Sequence, residues 1–519
     1  MLQRPGGSCT SEPRLEPEGG ILVEERSDRH WWPWLAIAAL AFLLVLPAML
    51  SPIKLHDSFW IDWVWVDQFG DQLRHGVLYP RWLPSSHGGL GSPVFYYYPP
   101  LAFYPAGLLS ALGMSPQAAI IATFGLAFAA SGAAMYLWAR GWTSHPVAAA
   151  LFFTAAPYHL ADFYGRGALA EACGIALIPL LALGLKRVAE GKGLALAAIA
   201  YAAIICTHLP LALLASMFLV GPYALVLTKG QPRALLAFAP PLAIGIGLSA
   251  IYLLPALALE PYRDAAALWS HAVLRPDHWL LVTHLTEPLD GMRLITAKVI
   301  AVTALPALFM ALRWRSGWAA SAILCCLIVA GLLPFFWSVP LIQSVQFPFR
   351  ALPFADFALA TAIALAPSRR MAVLLVLPAL ALSAIFLLSP SPEAGPGAIA
   401  QVSRYPDVPE NLPPGQRPYS WPSTWAMDLA AAHRAPVRRG DVTIEPVFFF
   451  PAWRVACAGE ETPAFPDPAT GLLAHRGDNC TIALGWTNAE VAGAAISLAA
   501  LLLLLALIFR ARPRRDAPC

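Results

Sequence analysis

Long apolar runs separated by short polar ones fill most of this chain. About 20 apolar residues are needed to cross the hydrocarbon core of a bilayer, so such runs predict membrane spans. Twelve candidate spans cover residues 31–50, 117–138, 146–158, 168–186, 193–207, 209–228, 234–257, 294–312, 317–335, 352–367, 371–389 and 489–509. A further apolar stretch at 99–113 is shorter and is interrupted twice. The pattern predicts an all-α polytopic membrane protein with about twelve transmembrane helices.

Basic residues decide whether the stretch at 99–113 crosses the membrane, because cytoplasmic loops are enriched in lysine and arginine. The clusters are Arg140, Lys186 with Arg187 and Lys192, Lys229 with Arg233, Arg313 with Arg315, Arg369 with Arg370, and the arginines of 510–515. All of them fall on one side only if 99–113 does not cross. We therefore predict that this stretch is a half-buried helix along the outer surface and that both termini are cytoplasmic.

This topology divides the chain into five parts. They are a cytoplasmic tail at 1–30, a transmembrane module at 31–389 with an external loop at 51–116, a periplasmic segment at 390–488, a last span at 489–509, and a basic cytoplasmic tail at 510–519. No small-residue cleavage site follows the first apolar run, which predicts a retained anchor.

The periplasmic segment begins with a proline-rich linker and then becomes strand-like in VTIEPVFFF, WRVACA and CTIALGW. Alternating β-formers of this kind predict a small antiparallel β domain. Cys457 and Cys480 both lie in these strand-like stretches. An oxidising compartment favours a disulfide between them, and two buried free thiols are the alternative.

Composition agrees with a membrane protein, since 58% of the 519 residues are hydrophobic and 13% are charged. The net charge is only +3, and the basic residues occur in short clusters, so we do not expect a nucleic-acid partner. The eight cysteines include no CxxC pair, so a structural zinc site is not expected.

The first external loop contains an unusual mixture of acids and tryptophans, HDSFWIDWVWVDQFGDQLRHGVLYPRW at 56–82. At 3.6 residues per turn, Trp60, Trp63 and Val64 fall on one helical face, with Asp57 near its start. Such a helix is typical of the membrane boundary, where it holds its acids toward water. The alternative to a catalytic loop is an interfacial helix whose acids are only solvated.

Other predicted external loops place further polar residues at the outer ends of spans. They are His159, Asp162, Tyr164, Arg166 and Glu171 in TAAPYHLADFYGRGALAEA, then His208, then Glu260, Tyr262 and Arg263, then Gln346 and Arg350. Ionisable groups at membrane depth are costly and usually functional, so these positions predict one shared cavity. Arginines bind phosphate in bidentate fashion, a carboxylate accepts a proton from an attacking hydroxyl, and aromatic faces stack on sugars.

Several of these motifs resemble a family of bacterial multi-pass proteins labelled 6-pyruvoyl-tetrahydropterin synthase-related. The likeness lies in HDSFW, LRHGVLYPRW, GGLGSPVFYYYPPL, PYHLADFYGRGALAE, SAIYLLPALALE, VQFPFR and FFFPAW. More distantly, the architecture is similar to the C-superfamily of membrane glycosyltransferases. That resemblance implies that Asp57 acts near the acceptor, that Asp162 is a second acid, and that a horizontal helix follows the first loop. Relatives often have a histidine where this chain has Asp62, so the division of roles between Asp57 and Asp62 is open.

The leading hypothesis is a glycosyltransferase of the bacterial inner membrane that uses a polyprenyl-phosphate sugar on the periplasmic face. Its partners would be membrane lipid, this donor, and a glycan, lipid or protein acceptor. Alternatives are a lipid or glycan transporter and a non-catalytic envelope assembly factor. The need for a divalent metal stays open, and no metal ligands are assigned.

Residue roles follow from this hypothesis. Asp57, Asp162 and Glu171 are the candidate catalytic acids, and Arg166, Arg263 and Arg350 are the candidate ligands of the donor phosphate. The residues expected to line the substrate cavity are His56, Asp62, Trp60, Arg81, Trp82, Tyr97, His159, His208, Glu260 and Gln346.

Overall fold

The structure, a computed structural model, describes residues 31–50, 58–264, 271–286, 288–289, 291–388, 407–415 and 424–510. The α-helices are α1 (Trp32–Leu50), α2 (Ser58–Arg74), α3 (Val94–Tyr97), α4 (Phe103–Ala111), α5 (Pro116–Ala139), α6 (Pro146–Thr154), α7 (Pro157–Leu160), α8 (Leu169–Ile175), α9 (Ile178–Ala189), α10 (Ala195–Thr207), α11 (Leu209–Ala215), α12 (Gly221–Leu227), α13 (Pro232–Leu235), α14 (Ala239–Leu248), α15 (Ala250–Ala258), α16 (Gly291–Trp314), α17 (Gly317–Ala330), α18 (Pro334–Trp337), α19 (Pro340–Gln343), α20 (Leu352–Ala364), α21 (Arg369–Leu388), α22 (Thr424–Ala432) and α23 (Asn488–Arg510). Short 3₁₀ turns lie at Ser86–Gly89, Leu236–Phe238, Glu260–Tyr262, Ala272–Leu274, Pro276–Trp279, Leu281–His284, Pro348–Ala351 and Pro409–Asn411, and π-helical turns at Ala161–Arg166 and Ser216–Val220.

Within the described residues, 7 helical segments are long and apolar enough to cross a membrane. They are Trp32–Leu50, Pro116–Ala139, Leu169–Ala189, Leu209–Leu227, Gly291–Trp314, Arg369–Phe386 and Asn488–Arg510. A pair bent by 68°, Pro232–Leu248 with Ala250–Ala258, makes 8 if it counts as one span. The prediction of a helical, multi-spanning protein is confirmed, whereas the number of twelve spans is not.

Several apolar runs form helices that are too short to cross a membrane, which is why the predicted spans outnumber the long helices of the structure. Helix α6 has 9 residues and α20 has 13, and every residue of α20 is buried. An apolar run of 10–14 residues is more typical of a buried core helix than of a span. Apolar composition in α20 therefore reflects packing inside the protein.

The stretch at 99–113 contains α4, which has only 9 residues. At 1.5 Å per residue it is about 14 Å long, half of what a crossing needs. It buries Phe103, Ala106, Gly107 and Ser110 and packs closely on α2, since a Cβ at Gly107 would lie 2.6 Å from the Phe69 ring. Its half-buried, non-spanning character agrees with the prediction, and its position along an outer membrane surface stays a prediction.

Helix α2 buries only part of the face that its tryptophan spacing indicates. Val64, Trp65 and Phe69 are buried, whereas Trp60 and Trp63 are half-buried at the edge of the same apolar cluster. Asp62 is 4% exposed, so the expectation that the acids of this helix face water is wrong for Asp62. The packing of α4 on α2 selects the buried face, and local periodicity does not contain that information.

The tail forms a small antiparallel β domain, as predicted. Its strands are β1 (Val437–Arg439), β2 (Val442–Phe448), β3 (Trp453–Cys457), β4 (Glu460–Thr462), β5 (Phe465–Pro466), β6 (Leu472–Arg476) and β7 (Cys480–Leu484). One sheet has the order β1-β2-β6-β5 and the other the order β4-β3-β7. Cys457 faces Cys480 across the β3–β7 pair, and a disulfide joins them.

This β domain packs on the first loop. The Trp82 ring lies 6.0 Å from Phe450 and 5.2 Å from Trp453, and Arg81 forms an ion pair with the buried Glu490 at the start of α23. Arg81 and Trp82, which we expected to line a substrate cavity, instead hold the loop to the tail. The local sequence could not indicate this role, because the residues that Arg81 and Trp82 contact lie hundreds of positions away in the chain.

The segment 407–415 completes this interface and carries a titratable group with a displaced pKa. The Trp65 indole N–H donates to Asp407 Oδ1 at 2.9 Å, and the Asp264 N–H donates to Leu412 O at 3.0 Å. Burial raises the pKa of the nearby Glu410 carboxyl from 4.5 to about 7, and the Asp407 carboxylate acts in the same direction.

Glu410 should make the fold lose stability as the pH rises from 4.5 to about 7. Below this window the carboxyl is protonated in folded and unfolded chains alike, whereas within it the unfolded chain releases the proton first. The melting temperature of the detergent-solubilised protein should therefore fall across this window. It should fall less for Glu410→Gln, which cannot titrate. If the melting temperatures of wild type and Glu410→Gln fall by the same amount across this pH window, Glu410 is not the group responsible.

Candidate functional site

Arg166 lies at the centre of a buried polar cluster. It ends the π-helical turn Ala161–Arg166, and such turns often occur at functional sites. Its Nη1 donates to Asp162 Oδ1 at 3.0 Å and to Glu171 Oε2 at 2.6 Å. Gly167 then reverses the chain with φ 65°, and a Cβ at this position would lie 2.6 Å from the Phe59 Cβ. Only glycine fits this turn, which brings α8 and its Glu171 back onto Arg166.

Glu171 connects three chain segments. Its side chain is fully buried, and its Oε2 accepts from Arg166 and also from Arg350 Nε at 3.3 Å. Its Oε1 accepts the Tyr158 hydroxyl at 2.6 Å. A carboxylate held by two guanidinium groups and a phenol is well placed to fix those groups. This geometry gives Glu171 a positioning role in place of the catalytic role that the sequence suggested.

Arg350 is the outer member of the cluster, with its side chain 11% exposed. It precedes α20 in the 3₁₀ turn Pro348–Ala351, and its Nη1 donates to Val345 O at 2.8 Å and Gln346 Oε1 at 3.4 Å. Its guanidinium lies 4.5 Å from the Phe347 ring centre. Glu171 is the one acid that Arg350 contacts within the described residues, and Arg166 shares it. The Arg350 charge is therefore only partly compensated.

Asp162 has a carboxyl oxygen that faces no donor. The residue is fully buried, and its Oδ2 has no hydrogen-bond partner in the described part of the chain. Burial raises the pKa of this carboxyl well above its usual range, and the Glu171 charge raises it further against the opposing effect of Arg166. This shift favours the protonated form of Asp162, in which the unpartnered Oδ2 carries a proton that a ligand can accept.

Two other acids hold the segments of the cluster in place. Asp62 Oδ2 accepts the Leu169 N–H at 3.0 Å, which fixes the start of α8 to the first loop. Asp356 on α20 accepts the Tyr158 N–H at 2.9 Å and the Thr303 hydroxyl at 2.9 Å. These contacts join α2, α7, α8, α16 and α20 around Arg166.

The structure thus brings together Asp162, Arg166, Glu171, Gln346 and Arg350, and Asp62 adjoins them through Leu169. Nearby His208 caps α11 by accepting the Leu211 N–H at 3.2 Å, and burial together with the Arg350 charge lowers the pKa of its imidazole to about 3, against the opposing effect of Glu171. His56 and Asp57 lie outside the described residues.

Other predicted site residues lie elsewhere. Arg263 pairs with Glu260 at 2.6 Å and packs over Tyr97, with 4.9 Å to the ring centre. His159 is buried between Phe128 and Phe153, and burial lowers the pKa of its imidazole to about 3. An uncharged, enclosed ring is a core residue, so His159 does not line a cavity as we expected.

Sequence reasoning missed three aromatic members of the cluster. Tyr158 reaches Glu171, and the Phe347 and Phe349 rings stack at 5.3 Å beneath Arg166, with 5.7 Å and 5.1 Å from its guanidinium to their centres. The spacing of Tyr158, Asp162 and Arg166 at four-residue intervals would have placed them on one helical face. The two phenylalanines flank Pro348 immediately before Arg350, but aromatic residues near a membrane boundary are too common to be informative.

Comparison with known proteins yields two kinds of similarity. Two cryo-EM structures of the arabinofuranosyltransferase AftD from Mycobacteria, one of them a mutant, are similar to 69% and 68% of this chain with TM-scores of 0.43 and sequence identities of 18% and 19%. The chain spans about a quarter of their length, 26% and 28%. No curated protein matches the chain.

The family model of the 6-pyruvoyl-tetrahydropterin synthase related domain, a membrane protein domain, matches residues 95–392. This range is more than half of the chain and contains the whole Arg166–Glu171–Arg350 cluster. The resemblance that the loop motifs indicated is confirmed. The chain belongs to the 6-pyruvoyl-tetrahydropterin synthase related family of membrane proteins.

Proposed function

We propose that the protein is a glycosyltransferase of the bacterial inner membrane. It takes a sugar from a polyprenyl-phosphate donor on the periplasmic face and passes it to a lipid, glycan or protein. The observation that carries this proposal is the single buried carboxylate, Glu171, which orients two arginines from separate segments. Such preorganised guanidinium groups suit a phosphate that gains charge as the sugar leaves.

Arg350 is the proposed ligand of the donor phosphate. It is the partly exposed arginine of the pair, and its hydrogen bonds within the described residues are made by Nε and Nη1, so Nη2 is the nitrogen proposed for the phosphate. Asp162 is the proposed hydrogen-bond donor to the same phosphate, because a protonated carboxyl can face an anion that a carboxylate would repel. Arg263 is tied to Glu260 and has no place in this arrangement.

An apolar cavity supports a lipid-linked donor over a water-soluble one. Its volume is about 530 Å³, and its lining includes Phe354, Phe357 and Ala358 of α20 together with Phe218, Tyr223 and Trp318. Phe354 and Phe357 follow Arg350 by about one and two helical turns, or about 6 and 10 Å along the axis. The lining also includes Trp142, Leu227 and Gly317, which lie beside the basic clusters predicted to be cytoplasmic, so a hydrocarbon chain attached to a phosphate on Arg350 would run along α20 toward the opposite membrane face to fill it.

Asp57 is the proposed general base toward the acceptor hydroxyl. The sequence left Asp57 and Asp62 as alternatives, and Asp62 is buried with one oxygen on the Leu169 N–H. That contact suits a structural carboxylate. Asp57 directly precedes α2 and is the remaining acid at the start of the loop.

Transport is the second candidate function, and the placement of charge favours transfer over it. Transporters usually hold their ion and substrate sites near the middle of broken spans. Here Glu171 is the third residue of α8, and Arg350 lies just before α20. Charges gathered at helix ends from three segments suit a transfer site better than a transport site in the middle of a broken span.

Replacing Arg350 with glutamine should weaken binding of polyprenyl monophosphate about 30-fold or more, since removing one member of a buried charge contact costs about 2–5 kcal/mol. Binding of this probe to purified protein in detergent can be followed by tryptophan fluorescence. Arg263→Gln is the matched control, because Arg263 also pairs with an acid and packs on an aromatic ring. The phosphate assignment fails if both variants bind like wild type or weaken equally.

The function itself is tested in a deletion strain. Lipid-linked sugars and envelope glycans should be profiled with and without the protein. The proposal predicts accumulation of one polyprenyl-phosphate sugar together with loss of one sugar from a glycan or lipid. Unchanged profiles would contradict it, and a lipid that accumulates without any missing sugar would favour transport.

A further inference from the structure

A buried histidine in the β domain has one ring nitrogen without a partner. His475 on β6 is 2% exposed, and its Nε2 lies 2.9 Å from Glu445 Oε1. Its Nδ1 has no hydrogen-bond partner among the described residues. Since a carboxylate only accepts, Nε2 carries the proton, and a neutral ring then has its lone pair at Nδ1. An unpaired buried nitrogen calls for an explanation.

Two cysteine sulphurs lie beside this ring. The Sγ atoms of Cys457 and Cys480 and one ring nitrogen of His475 all lie within 4.8 Å of one another. Because Nε2 is engaged by Glu445, Nδ1 is the nitrogen available to a ligand. Gly477, with φ 112°, brings the backbone close to the sulphurs, since a Cβ at this position would lie 2.9 Å from Cys457 Sγ.

We propose that the reduced β domain binds one Zn²⁺ ion through the Cys457 and Cys480 thiolates and His475 Nδ1. Zinc sites are typically tetrahedral and accept sulphur and nitrogen ligands. Both cysteines are half-buried, so solvent can supply the fourth ligand. Glu445 completes the arrangement, because zinc-bound histidines usually donate their other N–H to a carboxylate or carbonyl.

The distances suit this ligand set. Zn–S bonds of about 2.3 Å and Zn–N bonds of about 2.0 Å place tetrahedral ligand atoms about 3.5–3.8 Å apart. Separations within 4.8 Å require shifts of about 1 Å once the sulphurs are no longer bonded. Calcium and magnesium prefer oxygen ligands, which excludes them from a site with two thiolates.

Metal binding requires prior reduction of the disulfide. A dithiol reductant transfers two electrons and two protons to the S–S bond, yielding two thiols and an oxidised reductant. Zn²⁺ then displaces the two thiol protons, which pass to solvent. The disulfide joins β3 to β7 within one sheet, whereas the metal would also bind β6 of the other sheet. The two states therefore connect the domain differently.

The proposed zinc ligands form no local sequence motif, although no structural zinc site was expected from the sequence. That expectation rested on the absence of a CxxC pair. Here the three ligands come from three strands, with 17 residues from Cys457 to His475 in between and 4 from His475 to Cys480. The β6 strand passes beside the β3–β7 pair only in the folded domain.

The test uses the full-length protein in detergent, reduced with a phosphine under nitrogen and titrated with Co²⁺ as a spectroscopic substitute for Zn²⁺. Wild type should show thiolate-to-cobalt absorption that saturates at one ion per chain and disappears when Zn²⁺ is added. The Cys457→Ser/Cys480→Ser variant gives the background from the other six cysteines. Glu445→Gln should weaken Co²⁺ binding by about 10–100-fold, and His475→Gln, which removes a direct ligand, should weaken it at least as much.

Disulfide formation provides the folding control. After reoxidation, alkylation and mass measurement should show the Cys457–Cys480 bond in both variants, which reports that β3 and β7 still pair. If His475→Gln does not form the disulfide bond, its Co²⁺ affinity is set aside and the Co²⁺ affinity of Glu445→Gln tests the proposal. The proposal is overturned if reduced wild type binds no more Co²⁺ than the double serine variant. It is also overturned if correctly folded variants bind as tightly as wild type, or if the unreduced protein gives the same signal.

Discussion

Replacing Glu171 with glutamine is expected to lower the free energy of unfolding by about 3–5 kcal/mol. The Glu171 carboxylate is fully buried and contacts both Arg166 and Arg350, whose side chains are 3% and 11% exposed. Its removal leaves two largely buried guanidinium groups without their shared counter-charge. Denaturant unfolding of the detergent-solubilised protein measures the change.

Glu190, which directly follows α9, offers a matched control. It also lies between two cations, Lys186 and Lys192, but its side chain is 32% exposed. Exposed ion pairs contribute little, so Glu190→Gln should change the free energy of unfolding by about 1 kcal/mol or less. Equal effects of the two substitutions would show that Glu171 does not hold the cluster together.

Asp57→Asn is expected to reduce sugar transfer about 10²–10⁴-fold without loss of protein from the membrane, because an amide cannot take the proton of an acceptor hydroxyl. The measurement is complementation of the deletion strain, read as the amount of donor lipid that accumulates, with protein abundance determined by immunoblot.

Asp71→Asn is the control for this substitution. Asp71 lies on α2 in the same loop, but its side chain is 59% exposed and pairs within the described residues only with Arg74 at the end of α2 and with the following His75. It should complement like wild type. Full complementation by Asp57→Asn at normal abundance would remove the base from the proposed mechanism.

The sequence predicted the polar cluster better than the membrane topology. Asp162, Arg166, Glu171 and Arg350 were expected to converge because each lies at the end of an apolar run, and they do contact one another. Ionisable residues at such positions are rare enough to be informative. Their individual roles were not predictable, since Glu171 and Asp162 differ only in which groups surround them.

The predicted number of twelve spans is not confirmed, and the reason is physical. Apolar composition does not distinguish a side chain that faces lipid from one that faces other helices, and the fully buried α20 is as apolar as a true span. The sequence did not predict the long-range contacts either, in which Arg81 pairs with Glu490 and the Trp65 indole donates to Asp407. These contacts depend on the tail folding back on the first loop, which no local pattern encodes.

We propose that the protein consumes a polyprenyl-phosphate sugar at the Arg350 cluster. The most direct measurement uses lipid extracted from the deletion strain, reconstituted into liposomes with purified protein and membrane glycan from the same strain. Mass spectrometry then follows the donor lipid over time. We predict that wild type converts the accumulated donor to polyprenyl phosphate while the acceptor gains one sugar, and that Arg350→Gln does so at least about 30-fold more slowly. Donor that persists in the presence of folded wild-type protein and acceptor would contradict the account.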